Sequence, residues 1–247
     1  MIRIRGLSKK LGRKQVLDGL DLDIPTGLTI VIMGRSGTGK SVLLKHIIGL
    51  MKPDAGTIEV DGELMTGVSE HDLNEVRIRF GMLFQGAALF DSLTVGENIA
   101  LPLREHTRLS EADIKARVAE RLAWVGLSGV QEMKPASLSG GMRKRVGLAR
   151  AIAMDPAYIL YDEPTTGLDP IMSDVINKLI RSLQHRIGVT SIVVTHDLHS
   201  AWHVGDRLAL LHEGKVVFTG TPSEAKETSD ERVRQFIEGR SEETVAD

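Results

Sequence analysis

Residues 28–48 read "LTIVIMGRSGTGKSVLLKHII". A short apolar run stops abruptly in a glycine-rich octet, and Val42, Leu43, Ile47 and Ile48 then recur at helical spacing. This order of strand, loop and helix constrains the fold more than any other feature. The octet "GRSGTGKS" (34–41) fits G-x-x-x-x-G-K-[ST]. Its glycines let backbone N–H groups wrap around phosphate oxygens, and the helix N-terminus adds positive potential. Gly34, Arg35, Ser36, Gly37, Thr38, Gly39, Lys40, Ser41 and Val42 are therefore the expected phosphate cradle. Lys40 is expected to reach the β- and γ-phosphates, and the Ser41 hydroxyl to ligate Mg²⁺.

More short strands follow. "TIEVDGE" (57–63) reads as a strand turning at Asp61-Gly62, and "FGMLFQ" (80–85), "YILYDE" (158–163) and "TSIVVTH" (190–196) as three others. A helix with Val175, Ile176, Leu179, Ile180 and Leu183 on one face separates the last two. "RLALLHEGKVVFTG" (207–220) reads as a hairpin turning at Glu213-Gly214. Strands alternating with helices indicate an α/β sheet of parallel strands. With 42% hydrophobic but only 4% aromatic residues, its core must be mostly aliphatic.

Residues 86–155 break this alternation. Their period is helical, Ser110 and Asp113 form a capping pair, and Ile114, Val118, Leu122 and Val125 make one apolar stripe. The stretch reads as a helical subdomain inserted into the core. The tail beyond Pro222 is charged, with one short helix at "DERVRQFIEG" and a mobile end at "SEETVAD".

The chemistry-bearing residues stand at strand ends. In "YILYDEP" (158–164), Asp162 would complete the Mg²⁺ shell of a P-loop protein, and Glu163 would polarise an attacking water. His196 ends the next strand and should emerge on the same sheet edge, where ligands of open α/β sheets bind. Gln85, at the end of "FGMLFQ", could contact Mg²⁺ or water. "LSGGMRKRVGLARA" (138–151) looks like a second phosphate-binding helix start, with Ser139 as its cap. The run Arg143-Lys144-Arg145 reads as a solvated helix face rather than a phosphate contact.

Taken in order, the loop at 34–41, Gln85, "LSGGM" at 138–142, "YILYDE" at 158–163, "GLD" at 167–169 and His196 resemble the ATPase subunit of ABC transporters. The resemblance spans about residues 1–220. It implies an α/β fold: a P-loop NTPase (RecA-like) core at about 1–85 and 156–222, with an N-terminal antiparallel β part. The helical subdomain at about 86–155 and a tail at about 223–247 complete a single domain over 1–247. It also implies ATP and Mg²⁺, and two copies packed head to tail. Each ATP would lie between the P-loop of one copy and Ser139, Gly140 and Gly141 of the other. Asp169 would belong to the loop crossing between the two sites. Glu163 would be the catalytic carboxylate, assisted by Lys40 and Gln85, and His196 the switch histidine; Ser41, Gln85 and Asp162 would hold the metal.

Two positions depart from the family pattern. Met142 replaces the usual Gln, beyond the phosphate-contacting residues. No aromatic residue lies near positions 10–14 to stack on adenine, so Leu11 would offer apolar contact only. The segment "FQGAALFDSLTVGENIALPLREHTRLSE" (84–111) narrows the resemblance to bacterial Mla/Mce-type ATPases, which energise lipid transport between membranes. That subgroup implies a separate permease seated in a groove near residues 85–105, with Ala88, Leu89, Phe90 and Leu93 either touching it or packing the insertion's own core. It also allows a small regulatory subunit and an Mce-type lipid-binding protein, and places the chain peripherally on the cytoplasmic face of the inner membrane.

Another ABC ATPase, such as an amino-acid importer's, shares the same chemistry; a non-transport ABC ATPase or a simple P-loop kinase is the more distant alternative. A formal net charge of −2 argues against nucleic acid held by bulk positive charge. The absence of cysteine excludes disulfides and thiolate metal sites. The N-terminus lacks the apolar run of a signal peptide, and apolar stretches such as "LTIVIM" are too short to cross a bilayer, so a membrane role needs a partner.

Overall fold

Two sheets and the helices between them organise residues 1–240, which the computed structural model describes. Along the chain run β1 (Ile2–Leu11), β2 (Lys14–Ile24), β3 (Thr29–Met33), α1 (Lys40–Ile47), β4 (Ala55–Val60), β5 (Glu63–Leu64), α2 (Glu70–Arg77) and β6 (Phe80–Leu83). Then come α3 (Val95–His106), α4 (Glu111–Trp124), α5 (Gly140–Ala151), β7 (Tyr158–Asp162), α6 (Pro170–Ile187) and β8 (Thr190–Thr195). α7 (Leu198–Val204), β9 (Arg207–His212), β10 (Lys215–Gly220), α8 (Pro222–Glu227) and α9 (Glu231–Glu238) finish the fold. The end read as mobile, "SEETVAD", lies outside the described residues.

The larger sheet has the order β10-β9-β3-β8-β7-β6 and is parallel except at its β10 edge. β3, β7 and β8 are buried at every position, which is why their sequences are continuous apolar runs rather than alternating ones. Their side chains still alternate between two layers. Ile30, Ile32, Leu160, Ile192 and Val194 face α1, α2 and the smaller sheet. Val31, Met33, Ile159, Tyr161 and Val193 face the helices α3 to α7.

The smaller, antiparallel sheet has the order β2-β1-β4-β5. Its register pairs Ile2 with Val60 and Ile4 with Ile58, and all four are buried over the first layer. Antiparallel hairpins can keep one face wet, and Arg3, Arg5 and Glu59 stand on that side; Arg3 donates to Glu59 at 3.0 Å.

Between β6 and β7 the chain is helical. Thr94 starts α3 with a full capping box to Glu97, and Ser110 starts α4 by accepting from the Asp113 N–H at 3.2 Å. The stripe Ile114, Val118, Leu122 and Val125 is buried. α5 seats this unit on the sheet: a Cβ on Gly81 of β6 would collide with the Ala151 carbonyl, and one on Gly147 would lie 2.9 Å from Leu83 Cδ1. Past the hairpin, Asp230 caps α9, and Val233, Phe236 and Ile237 pack on the helical side of the core.

Candidate functional site

The loop after β3 is shaped by close approaches. A Cβ on Gly34 would lie 2.5 Å from the Leu211 carbonyl oxygen, and one on Gly39 would lie 2.8 Å from Val16 Cγ1. Gly39 also sits at φ 104°, a region closed to residues with a side chain. Within the loop, Thr38 Oγ1 donates to the Arg35 carbonyl at 2.9 Å. The cradle is therefore backbone, drawn tight from both sides.

Lys40 opens α1 yet is buried. Its Nζ donates to the carbonyls of Gly34 at 2.8 Å and Arg35 at 3.1 Å, and lies 3.6 Å from Glu163 Oε1. Burial pulls its pKa below the ordinary lysine value, against the attraction of Glu163 and Asp162. The next residue, Ser41, donates to Asp162 Oδ1 at 2.7 Å. A hydroxyl and a carboxylate meeting at the end of a buried strand are hard oxygen donors of the kind Mg²⁺ takes. Among the described residues no group of three or more His, Cys, Asp or Glu could hold a metal ion. Mg²⁺ here would complete its shell with water and substrate phosphate, as it does in P-loop sites.

Glu163 follows β7 at φ 48°, a left-handed conformation uncommon outside glycine. Its N–H donates to the Val194 carbonyl at 3.0 Å. Its Oε2 accepts from Thr166 Oγ1 at 3.2 Å and Thr195 Oγ1 at 3.3 Å, and lies 3.0 Å from His196 Nδ1. An open cleft of about 420 Å³ runs from Leu11 and Val16 along the loop to Gln85, Glu163 and His196. Ser36, Gly37, Gly39, Lys40, Ser41 and Val42 of the loop, Glu163, the histidine and the expected adenine contact thus converge on one cleft; Gly34, Arg35 and Thr38 are not in its lining, and Asp162 meets it through Ser41. Gln85 and His196 lie just past their strands, since β6 ends at Leu83 and β8 at Thr195. Lys14 and Val16 of β2 also line the cleft; Lys14 ends the stretch 10–14 expected beside adenine, whereas Val16 carries no such signal.

Ser139, Gly140 and Gly141 lie elsewhere. Ser139 caps α5 by accepting from the Met142 N–H at 3.2 Å. Ser139 and Gly140 are exposed, and none of the three lines the cleft. Asp169 is exposed and caps α6, accepting from the Met172 N–H at 2.9 Å. Met172 in turn covers Gly141, where any Cβ would strike its Cε. The two helix starts, at 139 and 169, are packed together.

The expectation that Arg143-Lys144-Arg145 forms a solvated face is corrected at its centre. Successive helix residues project about 100° apart, so three in a row cannot share one face. Lys144 points inward, is buried, and donates to the Glu163 carbonyl at 3.2 Å.

Beyond Gln85, Ala87 and Ala88 are both left-handed, at φ 62° and 46°. Arg150 holds them, donating to their carbonyls at 2.8 and 2.7 Å. Ala88 and Phe90 line a second groove of about 910 Å³, together with Ile78, Met82, Leu101 and Met154. Leu89 packs into the core, and Leu93 is not part of that lining. Of the four residues weighed between partner contact and core packing, two therefore face the groove.

Residues 17–166 match the family described as "ABC transporter". Over 240 residues the chain is 45% identical to the probable ribonucleotide transport ATP-binding protein mkl of Mycobacterium leprae, covering 97% of this chain and 69% of that protein. It is 43% identical over 242 residues to the intermembrane phospholipid transport system ATP-binding protein MlaF of Haemophilus influenzae, covering 98% of this chain and 92% of that one. Against MlaF of Escherichia coli the figures are 41% over 239 residues, with 97% and 89% covered. Among solved structures, a dimeric ATP-binding cassette in a post-hydrolysis state with ADP and Pi superposes with a TM-score of 0.83 at 34% identity, covering 90% of this chain and 98% of that one. Sequence, fold and site geometry agree: the chain belongs to the ABC transporter family, as one of its ATP-hydrolysing cassettes.

Proposed function

We propose that the chain is the ATPase subunit of a phospholipid transporter, working as a head-to-tail homodimer with two shared ATP sites. One observation carries the dimer: the cleft holding Lys40 and Glu163 and the exposed helix start at Ser139 and Gly140 are separate places on one chain. Each is half of a phosphate site. A second copy supplies the missing half to both, as the dimeric cassette neighbours support.

In each site the backbone of residues 34–42 binds the phosphates, and Lys40 exchanges its own loop carbonyls for β- and γ-phosphate oxygens. Ser41, Asp162 and Gln85 would hold Mg²⁺, which would neutralise charge on the phosphates when bound. Leu11 and Val16 offer the base apolar surface without a stacking ring. Glu163 accepts the proton of the attacking water as its oxygen bonds to the γ-phosphorus; the bond to the bridging oxygen breaks, giving ADP and phosphate. His196 orients the carboxylate. The partner's Ser139 hydroxyl and the N–H groups of its Gly140 and Gly141 close around the γ-phosphate; once phosphate leaves, the closed dimer loses its bridging ligand and opens.

No helix among the described residues is long and apolar enough to cross a membrane. In this reading the subunit acts through a permease docked in the groove of Ala88 and Phe90, on the cytoplasmic face of the inner membrane. A small regulatory subunit and an Mce-type lipid-binding protein belong to the same reading. Phospholipid as cargo is supported by likeness to the MlaF proteins over nearly the whole chain, while likeness to a probable ribonucleotide transport protein favours ribonucleotides as the second reading. Purifying the chain with its membrane partner decides between them. Phospholipid is expected to copurify and to stimulate ATPase activity after reconstitution; stimulation by ribonucleotides instead would overturn the lipid assignment.

A further inference from the structure

Of the three basic residues after the paired glycines, Arg143 and Arg145 reach the nearby carbonyls of Leu138 and Gly126. Lys144 alone is buried, with 5% of its surface exposed. Burying an ammonium is costly, and burial pulls the Lys144 pKa down against the attraction of Asp162 and Glu163. An apolar side chain would fill the space without that cost. What the lysine adds is a donor, and its acceptor is the Glu163 carbonyl.

That acceptor belongs to a strained residue. A left-handed, non-glycine backbone is strained and persists only where its surroundings fix it. The Glu163 N–H is tied to Val194, and its carbonyl accepts from the Thr166 N–H at 3.3 Å and, from the side of α5, from Lys144 at 3.2 Å. Together these bonds fix both peptide planes around the Cα that carries the catalytic carboxylate.

We propose that Lys144 is a positioning residue for ATP hydrolysis: from α5 it clamps the left-handed backbone of Glu163 in its own chain. The helix that presents Ser139, Gly140 and Gly141 to one shared site thereby sets the base of the other. This rests on the reading of Glu163 as base and of the sites as shared. Lys144 lies little more than one helical turn beyond the Ser139 cap. A push on the helix start by phosphate bound to the partner copy can therefore reach the Glu163 carbonyl through that rigid turn.

The test compares Lys144→Met with Lys144→Gln in the full chain. The two side chains are equally long, and only Gln keeps an N–H donor. Phosphate release is followed against ATP concentration, with melting and nucleotide-driven dimerisation in parallel. Lys144→Met should lower kcat by about tenfold or more, the scale of a misplaced catalytic group. KM and dimerisation should stay within about twofold, and the Hill coefficient for ATP should fall. Lys144→Gln should keep most of kcat. Wild-type kcat in Lys144→Met, an equal loss in both variants, or a loss tracked by KM and melting temperature overturns the clamp. If Lys144→Met does not fold, Lys144→Leu serves in its place. Glu163→Gln is assayed alongside: if it is inert while Lys144→Met is normal, only the clamp is wrong; if it turns over normally, the reading of Glu163 itself is wrong.

Discussion

His196 Nδ1 and Glu163 Oε2 stand 3.0 Å apart, joining the ends of two adjacent parallel strands. The register that sets Asp162 opposite Val194 carries both residues past the sheet on the same edge. Thr195 and Thr166 donate to the same oxygen, so Oε2 is the anchored atom. Oε1 lies 3.6 Å from Lys40 Nζ and is the oxygen we assign to take a proton from water.

Glu163→Gln should therefore keep ATP binding and lose turnover. Gln preserves the shape and can still accept from both threonines, but it has no basic oxygen. The expected fall in kcat is about 10²–10⁴-fold, the usual contribution of a positioned base. Phosphate release measures it, and gel filtration with ATP should show the dimer accumulating. Wild-type turnover in this variant would end the assignment of Glu163 as general base.

What was legible in the sequence was local. The loop at 34–41, the pair Asp162-Glu163, His196 and the Ser139 cap each stand beside a single strand or helix that frames them. β1 and β2 gave no comparable signal. Their pairing shifts register repeatedly, and Gly6 and Gly19 sit at φ 59° and 62°, so apolar alternation breaks every few residues. Lys144 could not be placed from its neighbours, because its burial depends on how α5 meets the sheet. The left-handed pair Ala87 and Ala88 depends likewise on Arg150, 62 residues away from Ala88.

Gly39→Ala should damage the site more than the fold. The new Cβ would lie 2.8 Å from Val16 Cγ1 at a φ of 104°, a conformation alanine does not share with glycine. The strain falls on the peptide that starts α1 and aims Lys40. Nucleotide affinity should drop by about tenfold or more, with a stability loss of about 1–3 kcal/mol. Titration with a fluorescent ATP analogue, set against thermal melting, separates the two effects; unchanged affinity would mean that the loop tolerates the shift.

Asp206 makes a pH-dependent tie. Its Oδ2 accepts from the Thr29 N–H and from Gln184 Nε2, both at 2.7 Å, and its Oδ1 from Arg181 at 2.8 Å. Burial alone would raise its pKa, but these donors outweigh it and hold the carboxyl below the ordinary 3.8. A depressed carboxylate stabilises the fold above its unfolded pKa, and that contribution is lost as pH falls through the folded value. Asp206→Asn should cost about 1–3 kcal/mol near neutrality. The gap in melting temperature from wild type should shrink below about pH 4. A gap that stays constant into acid would assign the loss to packing rather than charge.

The shared-site dimer makes the sharpest prediction, because two dead subunits should make one live site. Ser139→Arg puts a bulky cation at the exposed start of α5, while the same chain keeps its own Lys40, Asp162 and Glu163. Lys40→Ala removes the ammonium from the cleft and leaves that helix start intact. Each variant alone builds two defective sites. Mixed, some dimers pair the intact cleft of the first with the intact helix start of the second. Phosphate release should then rise above that of either parent, in step with the fraction of mixed dimers captured through separate affinity tags. A mixture in which tagged heterodimers form with ATP yet release none would mean either that both sites must fire together or that the shared-site geometry is wrong. A mixture in which no heterodimer forms at all would remove the head-to-tail arrangement, since that arrangement requires the complementary halves to meet.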